Sequence, residues 1–340
     1  AGAITAEIRH LTINNTGGGS QSGGVYTEDV ADGSFSMLHV TATATGSTVN
    51  LGVLNNDSSP SMNNVTATAT ATGGTSNWGV YNYLSSSPSM TNVTATATGG
   101  TDRNHGVINN FSSSPSMTNV TATATGGTES YGVFNATSSP SMTNVTATAT
   151  GGTNSGGVGN YASSPTMNNV TATATGGTES DGTNNYGVHN YINSSPTMNN
   201  VTATATGNAF INYGVYNDDS SSPSMNNVTA TATDGTNSYG VLNNDSSPSM
   251  NNVTATATGG IHDNAGVYNA NFSSPSIRNS SLAVGAAGTG ISNSVFNDES
   301  SDTKLVYTEL DGNVGGLEGV GFTCVGAYTT AFVALNAQCN

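Results

Sequence analysis

Val40-Thr41-Ala42-Thr43-Ala44-Thr45 is the phrase that decides the fold, because it returns at Val65, Val93, Val120, Val145, Val170, Val201, Val228 and Val253. Strict alternation over six residues describes a strand with two unlike faces. Val and Ala at every second position point inward, and the threonines between them point outward. Recurrence at a nearly constant interval makes the phrase one wall of a stacked solenoid, in which each coil buries its apolar residues on its neighbours.

The interval is measured by a residue two places after a proline: Met62, Met90, Met117, Met142, Met167, Met198, Met225, Met250 and Ile277. Met37 occupies the same column without the proline. Successive spacings from Met37 are 25, 28, 27, 25, 25, 31, 27, 25 and 27. A minimum of 25 with occasional insertions fits one turn of a wide β-helix. Counting an irregular first coil around Ile8, the chain holds about eleven coils. Each coil parses alike. Ser-Ser-Pro is a corner, where proline fixes φ and interrupts the ladder. Met opens a short strand, and the Asn two residues later sits at a bend in the left-handed region. The long Val-Thr-Ala-Thr-Ala-Thr strand ends in a glycine turn. A variable stretch then leads into Gly-Val-x-Asn, the opposing strand. The longest insertion is Glu179-Ser180-Asp181-Gly182-Thr183-Asn184-Asn185. The expected organisation is an irregular N-terminal coil over 1–30, repeats over 31–300, and a small C-terminal β cap over 301–340 that leaves the pattern.

Composition narrows the partners. Of 340 residues 34% are hydrophobic and 7% charged, which alone would suggest disorder, but the regular β pattern argues against it. Twenty acids oppose only Arg9, Arg103, Arg278 and Lys304, for a formal charge of −16. Such a surface repels phosphate backbones and anionic membranes, so nucleic acid is not an expected partner. No apolar run is long enough to span a bilayer. The opening Ala1-Gly2-Ala3 reads as a processed secretory product, and few lysines with abundant Ser, Thr, Asn and Gly fit an extracellular or cell-surface location. Cys324 and Cys339 close a loop of about 15 residues, and a disulfide there would contribute about 3 kcal/mol by the chain-entropy estimate.

The stretch Ser87-Pro88-Ser89-Met90-Thr91-Asn92-Val93-Thr94-Ala95-Thr96-Ala97-Thr98-Gly99-Gly100 and the phrase Tyr213-Gly214-Val215-Tyr216-Asn217 resemble secreted bacterial right-handed parallel β-helix repeat proteins. So does the ending Phe322-Thr323-Cys324-Val325-Gly326-Ala327-Tyr328 with Ala334-Leu335-Asn336-Ala337-Gln338-Cys339. The resemblance covers nearly the whole chain. It implies an all-β, pectate-lyase-like β-helix of three short sheets. Right-handedness comes from that resemblance and from the usual crossover rule. It does not imply lyase activity: where the enzymes carry acids and bases on the helix flank, this chain carries mostly Ser, Asn and Gly.

Several columns carry candidate function. The threonine face (Thr66, Thr68, Thr70; Thr94, Thr96, Thr98; Thr121, Thr123, Thr125) places neighbours about 6.7 Å apart along a strand and about 4.8 Å across it. This hydroxyl-and-methyl grid resembles the ice-binding face of threonine-rich solenoid antifreeze proteins. The plainer reading is that threonine favours strands and keeps an outer face soluble. One asparagine column is Asn64, Asn92, Asn119, Asn144, Asn169, Asn200, Asn227, Asn252 and Asn279; another is Asn55, Asn82, Asn109, Asn135, Asn160, Asn190, Asn217, Asn243 and Asn269. Stacked amides join coil to coil and satisfy corner backbone groups. The first column also forms Asn-Val-Thr sequons, but an amide buried in a ladder is a poor glycan acceptor.

His10 and His39 share a column without a Cys or carboxylate in register, so a stacked pair fits better than a metal site. Asp219 and Asp245, on adjacent coils, and Asp57 follow the Gly-Val-x-Asn asparagine by two residues. Paired carboxylates suit calcium or glycoside hydrolysis, yet no repeated acidic cluster supports a groove, and solvated turn residues are the default. Before each Gly-Val stands Trp78, His105, Tyr131, Gly156, Tyr186, Tyr213, Tyr239 or Ala265, a column suited to stacking on sugars or to covering a corner of the core. Tyr81, Phe134, Tyr216 and Tyr268 should face outward by alternation.

The function expected from these features is non-enzymatic, with no cofactor, metal or catalytic residue: an extracellular structural protein that stacks end to end into a homopolymeric filament, with adhesive faces along it. Its ends would be Ile8, Leu11 and Ile13 against Phe322, Val325 and Leu335. Ice binding by the threonine face is the first alternative, and binding of surface glycans as an adhesin is the second.

Overall fold

The computed structural model describes residues 5–71, 73–177, 182–298, 300–317 and 321–339. Ala1-Gly2-Ala3 and the Glu179-Ser180-Asp181 part of the longest insertion lie outside the described residues. Among the described residues there is no helix, and parallel strands stack into a β-solenoid of about 11 turns. The chain divides into two compact units, Ala1–Gly159 with Ser163–Thr171, and Asn160–Ala162 with Ala172–Asn340.

In the first unit, the coil beginning at Ser89–Thr91 shows the plan. That short strand bends at Asn92 (φ 53°), continues as Thr94–Thr98, turns at Gly99 (φ 82°) and returns as Arg103–Asn110. Each residue stacks on its counterpart one coil away. Thr66 pairs with Thr94 and Ala67 with Ala95; Thr94 pairs with Thr121, and Met90 with both Met62 and Met117. The expected inside and outside hold: Met90 and Ala95 are wholly buried and Val93 nearly so, while Thr94 is exposed. Burying one such Val or Met side chain stabilises by about 1.5–3 kcal/mol, and the column repeats it in every coil.

The strands form two hydrogen-bonded sheets rather than three. The bend asparagine stays in the ladder, because Asn64 N–H donates to Thr91 O (3.1 Å) and Asn92 N–H to Thr118 O (3.0 Å). The Met strand and the threonine strand are therefore one bent sheet, and the Gly-Val-x-Asn strands are the other.

The glycine of Gly-Val-x-Asn is required by close approach. A Cβ on Gly106 would lie 2.6 Å from Thr123 N and 2.7 Å from Gly132 O. In the second unit a Cβ on Gly214 would meet Gly240 O at 2.5 Å and Thr231 N at 2.7 Å. The opposed sheets touch backbone to backbone here, which is also why the facing residues are alanines. The same glycine breaks the alternation. Residues on either side of it pair across coils (Trp78 with His105, Val80 with Val107) while the glycine itself does not. Asn77, Val80 and Asn82 all point inward, so the inward spacing slips from two to three.

The second unit repeats the plan, with Thr197–Thr206, Ser224–Thr233 and Ser249–Thr258 running unbroken through the bend. Its C-terminal part departs from the sequence expectation. The segment from 301 does not leave the stack at once: Leu305 pairs with Ile277, Leu310 with Leu282, and Cys324 with Leu305. Buried Leu305 and Leu310 keep the alternation after the Pro-Ser-Met signature is lost. Only the last residues break away. Ala334 forms an antiparallel bridge with Tyr328, Leu335 N–H donates to Ala327 O (2.9 Å), and Cys324 N–H donates to Ala337 O (3.0 Å). The Cys324–Cys339 disulfide ties this return to the last coil.

Candidate functional site

The threonine face forms as the alternation requires. Thr66, Thr94 and Thr121 are exposed, and Thr68, Thr96 and Thr123 are half-buried beside them. Neighbouring hydroxyls bond within the last rank, Thr70 Oγ1 to Thr98 Oγ1 at 3.2 Å in the first unit and Thr206 to Thr175 at 3.4 Å in the second. Its three ranks carry no ionisable group in the coils of the repeated phrase; the first two reach Glu309 and Asp311 in the C-terminal coils.

The two asparagine columns lie in opposite surroundings. The Asn55 column is the buried one. Asn55 donates to Asn82, Asn82 to Asn109 and Asn109 to Asn135, each at 2.8 Å; in the second unit Asn190 donates to Asn217 (2.9 Å) and Asn217 to Asn243 (2.8 Å). The second amide hydrogen faces the methionine column, with Asn82 Nδ2 3.8 Å from Met90 Sδ and Asn109 Nδ2 3.9 Å from Met117 Sδ. A thioether is a weak acceptor, which gives methionine a role there beyond bulk. Where Ile277 replaces it, Asn269 turns to Thr303 Oγ1 at 2.8 Å. The Asn64 column is on the outside, contrary to the expectation of a buried ladder. Asn92 donates to Asn64 (3.2 Å), Asn119 to Asn92 (3.1 Å), Asn144 to Asn119 and Asn169 to Asn144 (3.1 Å each). Asn227 donates to Asn200 at 3.0 Å, and Asn252 to Asn227. Their φ values of 51–54° turn the side chain out of the coil.

A third interior column was not singled out from the sequence. Ser22 donates to Asn50, Asn50 to Asn77 (2.8 Å) and Asn77 to Asn104 (3.2 Å), and Asn77 and Asn104 also bond the carbonyls of Thr98 and Gly126. Its signal was an Asn or Ser two residues before the glycine of Gly-Val, hidden because the column mixes the two types.

The aromatic residues occupy the outer face of the Gly-Val-x-Asn sheet. The slip at glycine brings both sets, three residues apart in sequence, to one side, where alternation alone would have separated them. Trp78 packs on Tyr81 (4.8 Å between ring centroids, 58°), Tyr81 on Tyr83 (5.3 Å) and Tyr131 on Phe134 (5.0 Å). Tyr131 also lies over Gly156 and Gly159, where a side chain would collide with its ring. In the second unit the rings lie flat on one another: Tyr186 and Tyr213 at 5.2 Å and 2°, Tyr186 and His189 at 4.3 Å and 9°, Tyr213 and Tyr216 at 4.7 Å and 12°. Burial raises the tyrosine pKa values, pushing Tyr81 up to about 12 and Tyr186, Tyr213, Tyr216, Tyr239 and Tyr268 up as well. Burial pushes His105 down to about 3, with the Arg103 charge adding to it. The rings themselves are therefore uncharged at neutral pH, while carboxylates stand at their edge, Asp298 Oδ2 accepting from the Tyr268 hydroxyl at 3.3 Å.

Where the strip begins in the first unit, a groove of about 670 Å³ opens beside Trp78, Tyr81 and Tyr83. Gly23 stands in the column continued by Leu51 and Trp78, and supplies no side chain to fill it.

The remaining sequence candidates lie at bends and turns of the coils. His10 and His39 stack at 4.9 Å and 15°, each taking the bend position of the asparagine column with φ of 50° and 54°. Asp57, Asp219 and Asp245 occupy left-handed turn positions, and Asp245 Oδ2 accepts from Ser220 Oγ (3.3 Å). Among the described residues no three His, Cys, Asp or Glu side chains cluster as metal ligands, and no helix is long and apolar enough to cross a membrane. Of the expected assembly ends, Leu11 is 45% exposed with Ile8 and Ile13 half-buried, on a strand that pairs with Phe35–Thr45. At the other end Val325 is exposed and Phe322 and Leu335 half-buried, but the returning 334–337 segment bonds the edge beside them.

No family model matches the chain, and no curated protein matches it. Among solved structures, a chain of the cryo-electron microscopy structure of the Vag8–C1 inhibitor complex superposes with a TM-score of 0.60 at 13% sequence identity, covering 98% of this chain and 81% of that one. At that identity the likeness is one of fold.

Proposed function

We propose that the chain is a non-enzymatic extracellular solenoid that acts as an adhesive structural protein through the outer faces of its two sheets. The observation that carries this reading is that both faces repeat uncharged side chains in register on successive coils, threonines on one and aromatic rings on the other. A chain with 20 acidic residues has charge available to solvate these faces, yet acids enter the threonine ranks only in the C-terminal coils, at Glu309 and Asp311. Repeated threonine and aromatic columns of this kind suit contact with a partner. The Cys324–Cys339 disulfide supports an oxidising, extracellular setting. A chain of like fold occurring in a complex with a second protein is consistent with binding.

End-to-end polymerisation draws support from exposed Leu11 at one end. It is opposed at the other, where the 334–337 return already occupies the backbone groups a second copy would need. Face-mediated attachment is therefore the better reading. Pelleting of the full chain with washed cell envelopes and insoluble polysaccharides tests it. Retention on at least one is expected, and a chain left in the supernatant by all of them overturns the proposal. A second reading, ice binding, is favoured by the in-register threonine ranks. It predicts thermal hysteresis that Thr123→Tyr abolishes; no hysteresis in the unmodified chain removes it.

A further inference from the structure

We infer that the groove at Trp78, Tyr81 and Tyr83 is a binding site for a neutral oligosaccharide chain. The inference deepens the adhesive reading and rests on it. The groove has one wall of aromatic rings, which present flat apolar faces suited to the C–H faces of pyranose rings. Its lining holds no charged side chain. The carboxylate beside it, Glu28, accepts from Asn56 Nδ2 at 3.2 Å, so anionic ligands meet repulsion while no cation draws them in.

Two polar atoms on residues that line the groove decide the ligand class. Trp78 Nε1 is a buried indole donor without a hydrogen-bond partner, and Asn56 Oδ1 is a buried amide acceptor without one. Both residues line the groove. An unsatisfied buried donor or acceptor costs about 1–3 kcal/mol, a cost a ligand can remove. Both atoms are closed off from water in the free chain, so on binding the two side chains turn toward the groove, where hydroxyl groups accept from the indole N–H and donate to the amide oxygen. A hydrocarbon serves neither.

The register sets the length. Trp78 pairs with Leu51 and Tyr83 with Asn56, so the two unsatisfied atoms belong to strand positions five residues apart. At the strand rise that is on the order of 15 Å, longer than one sugar ring and suited to a short chain lying along the strand. Tyr81 stands between the ends, held by Trp78 on one side and Tyr83 on the other. The second unit has the same aromatic columns but closes them by flat stacking, so its Tyr186 and Tyr213 rings face each other rather than a groove.

Trp78 is the single tryptophan of the chain, so its emission reports on this groove alone. The test titrates the full chain with cellohexaose, xylohexaose, mannohexaose and chitohexaose, with oligogalacturonate as the anionic control and a tryptic peptide mixture as a further arm. A saturable change in Trp78 emission with at least one neutral hexasaccharide, weaker for its monosaccharide, is expected. Asn56→Leu removes the amide acceptor and should raise Kd at least tenfold, whereas Tyr83→Phe keeps the ring, removes only its hydroxyl and should raise Kd at most threefold. Circular dichroism confirms that each variant keeps its fold. Emission unchanged by every saccharide up to millimolar concentration overturns the inference, as does binding indifferent to Asn56→Leu, or saturation by peptides alone. If emission stays unchanged while the chain still pellets with cell envelopes, the groove assignment fails and the adhesive reading stands. If nothing pellets and emission is flat, both fail.

Discussion

Two columns of asparagine run through each unit with similar hydrogen bonds and opposite surroundings. Inside, Asn82 donates to Asn109 at 2.8 Å; outside, Asn119 donates to Asn92 at 3.1 Å. The interior amides are wholly buried and the exterior ones stand in water. A hydrogen bond in water replaces one made to solvent, so its net worth is small. A buried amide that loses its partner has nothing to replace it. The same residue in the same ladder is therefore structural in one column and nearly optional in the other. What fixes the exterior asparagine is its backbone, since φ of 53° at Asn119 suits Asn or Gly and strains other residues.

One coil of the first unit sharpens the contrast. Gly106→Ala should have the largest effect. Its Cβ has no room against Thr123 N and Gly132 O, whereas Gly126, on the outer turn, has open space and only a positive φ of 79°. Gly106→Ala is expected to prevent folding of the unit, read as loss of the cooperative urea transition, while Gly126→Ala costs about 1–2 kcal/mol. Equal effects would break the distinction between inner and outer glycines.

Asn109→Ala comes next. It breaks the bonds to Asn82 Nδ2 and Asn135 Oδ1 in the interior and should cost about 3 kcal/mol, measured from the shift of the denaturation midpoint at unchanged slope. Asn119→Ala should cost about 1 kcal/mol, and Asn119→Gly close to nothing, because backbone strain rather than the amide ladder sets that value. A costly Asn119→Gly would show that the outer ladder does carry stability.

His105 gives a pH-dependent form of the comparison. Its native pKa, lowered to about 3 by burial, lies below the unfolded value near 6.5, so the unfolded chain binds a proton the native one does not. Its contribution is complete above about pH 6.5 and is lost progressively as the pH falls toward 3. His105→Phe, which keeps the ring against Tyr131 and Phe134, should flatten the stability–pH curve in that window. An unchanged slope in urea titrations between pH 4 and pH 6, taken as roughly the middle of that range, would count against a buried neutral imidazole.

Much of the fold was legible because it depends on local alternation and a fixed interval. The inward Met, Val and Ala positions and the outward threonines follow that logic, while the Cys324–Cys339 pairing was legible because the chain has two cysteines. The candidate site was only half legible. The aromatic residues were visible as columns, but their common face was not. Trp78 and Tyr81 are three apart, and strict alternation places them on opposite sides of a strand; the unpaired Gly79 removes one step and brings them together. The groove depends further on the missing side chain at Gly23, which sequence shows as one glycine among 43.

By itself, then, the sequence determined the period, the order of strand and turn within a coil, and which residues of the threonine strand face inward, because these rest on short-range sterics and the two-residue repeat of a strand. Tertiary structure alone decided which asparagine column is buried, because one left-handed bend reverses where a side chain points. It also decided that Leu305 and Leu310 continue the stack after the motif has faded. Burial on the preceding coil, rather than identity with the repeat, holds a strand in register. Finally, it decided that the last coil's edge is bonded by its own returning chain, a contact between residues whose pairing no periodicity encodes.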